Sequence, residues 1–350
     1  MDGGSLRITK IHLVLAAGIL FASLIIIYSG IIPHAPTSSV VVYTSVDQIY
    51  SEPILKEFEN RTGIHVLAVY DVEAAKTTGL VNRLIAEKGR PQADVFWNCE
   101  FVQTLLLKQL GVLASYSSPA SSDIPSQYMD PEGYWTGFGG RARVLLANTN
   151  LLPPAEYPGS IFDLLDANLS GKDFGIAYPT FGTTATQAAA LYAAIGPERA
   201  KSFYAQLKSK GVRVVDGNSV VRDLVASGQI KLGLTDTDDA CGALRSGAPV
   251  ALVFLDQGAG GLGTLIIPNT VAIIAGGPHP VEARTLVDYL LSKEIEEKLV
   301  ASGWIQIPLR HFESQQGCIN HEIKGMNVSL SEIYLGLEPS REDLSEIFIR

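Results

Sequence analysis

Five short segments carry side chains that can hold a small charged ligand: Thr44, Ser45 and Asp47 in YTSVDQ; Glu73, Lys76 and Thr77 in YDVEAAKTT; Asn98 and Glu100 in WNCE; Gly182, Thr183 and Thr184 in YPTFGTT; and Asp236, Asp238 and Asp239 in LTDTDDA. In the fourth segment, Gly182 lets backbone approach closely, and threonines precede a helical pattern. The free N–H groups and positive dipole end of a helix suit an oxyanion there; a plain Thr-capped helix reads the same way. Lys76 and Thr77 can likewise hold an anion, and Glu73 a cation or amine. The three aspartates suit an amine or a cation, or they simply start a helix. Carboxylates are hard ligands for several cations, so no metal is assigned. Acidic residues opposite Thr-rich helix starts suggest a zwitterion such as an aminophosphonate, or a metal with a bridging anion.

Other chemistries find no pattern. The six histidines, His12, His34, His65, His279, His311 and His321, show neither HExxH nor HxH spacing, and no GxSxG elbow or triad can be assembled. Gly258-x-Gly260-x-x-Gly263 matches a dinucleotide fingerprint, but TLIIPNTVAII comes after it where a helix must open. Cys99, Cys241 and Cys318 lie far apart with no CxxC spacing, so they read as buried free thiols. Neither a cofactor nor catalysis is expected. The net charge is −9 and no basic stripe tracks a phosphate backbone, which excludes nucleic acid as an expected partner.

The five segments come directly after strand patterns. Runs at 40–45, 64–71 and 93–98 alternate with helical patterns at 47–63, 73–89 and 101–111, which predicts a parallel α/β sheet. Residues 140–150 read as a crossing strand. The second block has strands at 174–179, 212–217 and 231–236, helices at 183–196 and 219–228, two further strand runs at 250–256 and 264–276, and one long helix over 281–303. Residues 329–350 read as one or two helices on the second lobe. In open parallel sheets, ligands bind beyond the carboxyl ends of the strands, and all five segments lie at such ends. Two lobes facing each other enclose a polar cleft that hinge motion can close.

Residues 11–33 run without Asp, Glu, Lys or Arg, preceded by Arg7 and Lys10. The run is long enough to cross a bilayer, and the positive-inside rule places the domain downstream of it outside the cytoplasm. An uncleaved anchor is the reading, with a cleaved signal as the alternative; no cysteine precedes Cys99, so a lipid-anchored cysteine is not expected.

YTSVDQIYSEPILKEFENRTGI, PQADVFWN and FGTTATQAAAL occur in the order seen in periplasmic ferric-iron-type solute-binding proteins of ABC importers, and the chain resembles that family from about residue 40 to about residue 308. The resemblance implies a two-lobed class II periplasmic-binding-protein fold, no catalysis, a monomer, and docking on a membrane permease. Iron-binding members commonly carry adjacent tyrosines where this chain has Asp238 and Asp239, so bare ferric iron is not implied. The expected organisation is 1–39 as cytoplasmic tip, anchor or signal, and linker; 40–140 plus 250–310 as lobe 1; and 141–249 plus 311–350 as lobe 2. The expected function is delivery of a ferric complex, a phosphonate, a phosphate ester or a similar solute to an importer. The competing reading is the ligand-binding ectodomain of a membrane sensor or co-receptor.

Overall fold

The computed structural model describes residues 38–71, 78–166, 169–312, 317–319 and 321–349. The apolar run at 11–33 and the candidates Glu73, Lys76 and Thr77 lie outside the described residues. Among the described residues, no helix is long and apolar enough to cross a membrane.

The first half of the body runs β1 (Ser39–Thr44), α1 (Gln48–Thr62), β2 (His65–Tyr70), α2 (Thr78–Ala86), β3 (Val95–Asn98), α3 (Val102–Gln109) and β4 (Leu113–Ala114). The long strand β5 (Thr136–Asn148) leads to β6 (Phe174–Ala177), α4 (Gly182–Ile195), α5 (Pro197–Ser209), β7 (Arg213–Val215), α6 (Asn218–Ala226), β8 (Leu232–Asp236), α7 (Thr237–Arg245) and β9 (Val250–Val253). The chain then forms β10 (Ile266–Ile274), α8 (Pro280–Leu290), α9 (Lys293–Ala301) and α10 (Leu330–Phe348). The strand order is β2-β1-β3-β10-β5-β8-β6-β7, with β4 on β10 and β9 on β5. β1 pairs in parallel with β2 and β3, and β6 with β7 and β8, as strand–helix alternation requires.

β5 joins the halves. Residues 136–142 pair antiparallel with β10, and residues 143–148 with β8 and β9. Its side chains alternate between faces: Leu145 and Ala147 enter one apolar cluster of the second half, Val144 and Leu146 another. A separate cluster containing Val42, Phe58, Phe96 and Leu286 fills the first half. α10 runs between clusters, with Leu330 and Ile333 in the first and Leu344 and Phe348 in the second. Ser329 starts it with a reciprocal capping box to Glu332.

Three expectations need correction or extension. The long helix over 281–303 is two helices, because Ser292 adopts an extended conformation with ψ of 148° and restarts the helix at Lys293. The helix Pro197–Ser209 lies in a stretch to which the sequence pattern assigns no element. Cys241 and Cys318 are not free thiols; they form a disulfide with Cα atoms 5.8 Å apart, while Cys99 is not in a disulfide. Their separation of 77 residues leaves no spacing signal, and only the fold brings them together.

Candidate functional site

A cavity of about 850 Å³ opens between the two halves of the sheet. Eight of the sequence-predicted candidates line it: Ser45, Asp47, Glu100, Gly182, Thr183, Asp236, Asp238 and Asp239. Thr44, Asn98 and Thr184 are buried beside it and not on its wall.

The first wall is built at the ends of β1 and β3. The Ser45 hydroxyl donates to Asn98 Oδ1 at 2.6 Å and accepts the Cys99 N–H at 3.0 Å. Asn98 Nδ2 donates onward to the Glu100 carbonyl at 2.7 Å and to Thr104 Oγ1 at 3.1 Å, which meets Thr270 Oγ1 at 2.7 Å. The Glu100 carboxylate accepts the Val102 N–H at 2.6 Å and the Gln103 N–H at 2.9 Å, capping the start of α3. Burial pushes the Glu100 carboxyl above its usual range against the pull of these donors and of Arg141. Thr44 Oγ1 accepts the Val46 N–H at 3.1 Å, a local turn bond. Asp47 precedes α1, but its side chain makes no capping bond.

The second wall centres on a residue that sequence reasoning passes over. Arg143 of β5 stands directly opposite Asp236 of β8 in the antiparallel register, so the two side chains meet on one face. Arg143 Nη1 donates to Asp236 Oδ1 at 2.8 Å, and Nε to Gln187 Oε1 at 2.9 Å. The Thr183 hydroxyl donates to Asp236 Oδ2 at 2.6 Å, and Asn218 Nδ2 donates to that same oxygen at 3.1 Å. Thr184 Oγ1 reaches Asn218 Oδ1 at 3.3 Å. Asp236 is therefore neither a helix cap nor an open cation ligand. Its charge is spent on Arg143, and it fixes Thr183 at the mouth of α4. Thr183 gives its hydroxyl hydrogen to Asp236, and the first backbone N–H groups of a helix such as α4 have no intrahelical partner. Gly182 opens that helix with φ of +54°, a left-handed conformation that a side chain would strain.

Arg141 lies two residues before Arg143, on the same face of β5, and lines the cavity. Its Nε has no hydrogen-bond partner among the described residues, and the nearest carboxylate oxygen, Asp236 Oδ2, is 3.7 Å away. Burial works against its charge, but Asp238, Asp236, Cys99 and Glu100 outweigh that and hold its pKa above the usual value. Asp238 reaches solvent, yet it is recessed in the cleft. Desolvation pushes its carboxyl up, Arg141 pulls it down and Asp236 adds repulsion. Asp239 is pushed up to about 6 by burial and by its aspartate neighbours, although Arg222 Nη1 contacts it at 3.0 Å. Two arginines interrupting the apolar run GRARVLLANTN are the available signal: a charge on a buried strand needs a partner. Among the described residues no three His, Cys, Asp or Glu side chains are grouped to hold a metal ion.

Aromatic side chains complete the walls. Tyr50 and Trp304 have ring centroids 6.4 Å apart, and Trp304 stands edge-on to buried Trp97 at 6.1 Å. Phe181, just before α4, is 66% exposed.

With this geometry the chain can be set beside known proteins. It is 29% identical over 231 residues to a probable ABC transporter periplasmic-binding protein of Sinorhizobium fredii, covering 62% of this chain and 60% of the relative. It is 25% identical over 230 residues to a putative 2-aminoethylphosphonate-binding periplasmic protein of Salmonella paratyphi A, covering 64% and 65%. The chain thus spans between 60% and 65% of the length of these two curated relatives. The fold is that of a Trichodesmium protein solved with iron and citrate, at a TM-score of 0.79 and 19% identity over 89% of this chain and 100% of that one. It is a mixed α/β, two-lobed periplasmic-binding-protein fold. Residues 91–317, well over half of the chain, match the family described as bacterial extracellular solute-binding protein, and to that family this chain belongs.

Proposed function

We propose that this protein is the extracytoplasmic solute-binding component of an ABC-type importer. It takes a small ligand with an anionic group, a phosphonate, phosphate ester or ferric–anion complex, and traps it by hinge closure of two lobes. The single observation that carries this is the mouth of α4 in the cavity wall: Gly182 and Thr183, held by Asp236 and Asn218, lie on the wall that Arg141 shares. Free helix N–H groups and a guanidinium short of partners suit an oxyanion. Asp238 and Asp239 lie on that wall as well and suit an ammonium group on the same ligand. The relatives include one named as a probable importer component and one named as a putative aminophosphonate binder.

The lobes are taken as 40–140 plus 250–310 and 141–249 plus 311–350. The pairing of β9 with the second half of β5 supports moving residues 250–253 into the second lobe. Residues 11–33 serve as an anchor or a cleaved signal, a membrane permease is the partner, the protein acts as a monomer, and it performs no catalysis. Isothermal titration with 2-aminoethylphosphonate, sugar phosphates, thiamine and ferric–anion complexes tests the ligand class. A phosphonate or phosphate ester is expected to bind, and Arg141→Met is expected to weaken it. Tight ferric binding with no dependence on the accompanying anion sinks the reading.

A further inference from the structure

The cavity holds features that an anion site alone does not require. Phe181 is two-thirds exposed at the point where α4 begins, against the residues that receive the anion. A large apolar side chain in water at a recessed wall forgoes the burial that an apolar partner would supply. Tyr50 and Trp304 line the same cavity from the first turn of α1 and from the segment after α9. Their rings are held in advance, since Trp304 rests edge-on against Trp97, which is fully buried. Preset rings lose little freedom when they cover a ligand. Leu337 of α10 adds aliphatic surface to the lining. The volume, about 850 Å³, leaves room for an organic molecule.

We propose that the ligand is a small organic anion bearing an aromatic or hydrocarbon face, and that Phe181, Tyr50 and Trp304 select for that face. This rests on the anion-binding reading above and narrows it. The charged end sits at α4 and Arg141, and the apolar body lies along the aromatic side chains. Of the three tryptophans, Trp97 and Trp135 are buried, so Trp304 is the one whose emission a ligand in the cavity can touch.

The test compares phenylphosphonate with methylphosphonate, which share a charged end and differ in the apolar body. Both are titrated into the full chain by calorimetry and by tryptophan emission. Phenylphosphonate is expected to bind about tenfold tighter or more and to change the emission. Phe181→Ala is expected to collapse the phenyl-to-methyl affinity ratio toward one. Trp304→Leu provides the second arm, checked by circular dichroism because Trp304 packs on Trp97. Equal affinity of the two phosphonates for the unaltered protein, or a ratio unmoved by Phe181→Ala, overturns the selection proposal while leaving the anion site standing. Binding of neither phosphonate, with ferric iron bound equally tightly whichever anion accompanies it, overturns the anion reading and this proposal with it.

Discussion

Two arginines of this protein sit in like surroundings and do opposite things. Arg310 is 1% exposed and every guanidinium nitrogen has a partner: Nε on Asp123, Nη1 on Glu296 at 2.6 Å, and Nη2 on the carbonyls of Ala120 and Leu291. Glu296, itself fully buried, also accepts the N–H groups of Gly139 and Leu309, which ties the chain after α9 to the start of β5. Arg141, near the middle of β5, is 22% exposed, has an Nε with no partner among the described residues, and reaches its nearest carboxylate only at 3.7 Å. A buried cation with all donors satisfied holds a fold together. One that lines the cavity, with its nearest carboxylate oxygen 3.7 Å away, is less tightly committed to the fold. The same contrast separates the cavity walls: the Ser45–Asn98–Thr104–Thr270 chain closes on itself, whereas the Arg141 side of the cleft does not.

Arg310→Met gives the largest expected effect. It strands the Glu296 charge in the core and is expected to cost about 3–5 kcal/mol in urea unfolding. Ligand affinity of the remaining folded protein should be unchanged; a loss of affinity there breaks the contrast. Cys318→Ser comes next. The disulfide closes a 77-residue loop and ties α7, which carries Asp238 and Asp239, to the segment before α10. Its loss is expected to remove about 2–4 kcal/mol, read as a lower melting temperature under oxidising conditions only. Arg141→Met reverses the Arg310 outcome. Stability should move by no more than about 1 kcal/mol, while affinity for an anionic ligand falls about tenfold to a hundredfold. A variant that loses stability but, where folded, binds as before removes Arg141 from the site.

The smallest effect concerns pH. Asp239 is held near a pKa of about 6, above the ordinary carboxylate value, by burial first and by Asp238 and Asp236 next, with Arg222 and Thr235 opposing. The folded protein therefore keeps this proton where the unfolded chain has lost it. Its contribution favours the fold at low pH and is lost as pH rises through about 6. An ionised Asp239 attracts an ammonium group, so the preference for 2-aminoethylphosphonate over methylphosphonate should grow a few-fold between pH 5 and pH 7. Asp239→Asn should flatten that profile; a preference that stays constant with pH in the unaltered protein rules out a part for Asp239.

Much of the scaffold could be read from the chain because its signals are local. The apolar run at 40–45, the helix ended by Gly63 and the Thr-rich start at 183 follow from periodicity and from the residues that stop or start helices. The break at Ser292 was hidden because the apolar stripe of Leu286, Leu290, Ile295 and Leu299 continues through it. Among the residues lining the cavity, Ser45, Glu100, Thr183 and the three aspartates were legible as polar groups at strand ends. Arg141 and Arg143 were not, because a strand pattern says which residues alternate but not what stands opposite them.

The sequence by itself determined the α/β alternation and the polar strand ends, since each depends on neighbours a few residues away. Only the tertiary structure decided which polar groups are spent and which are available. Register sets Arg143 against Asp236 and so commits the Asp236 carboxylate to an ion pair, and folding joins Cys241 to Cys318. The same folding brings Phe181, Tyr50 and Trp304, widely spaced along the chain, onto the lining of one cavity. Pairing across a sheet and contact across a cleft link residues that no local pattern connects.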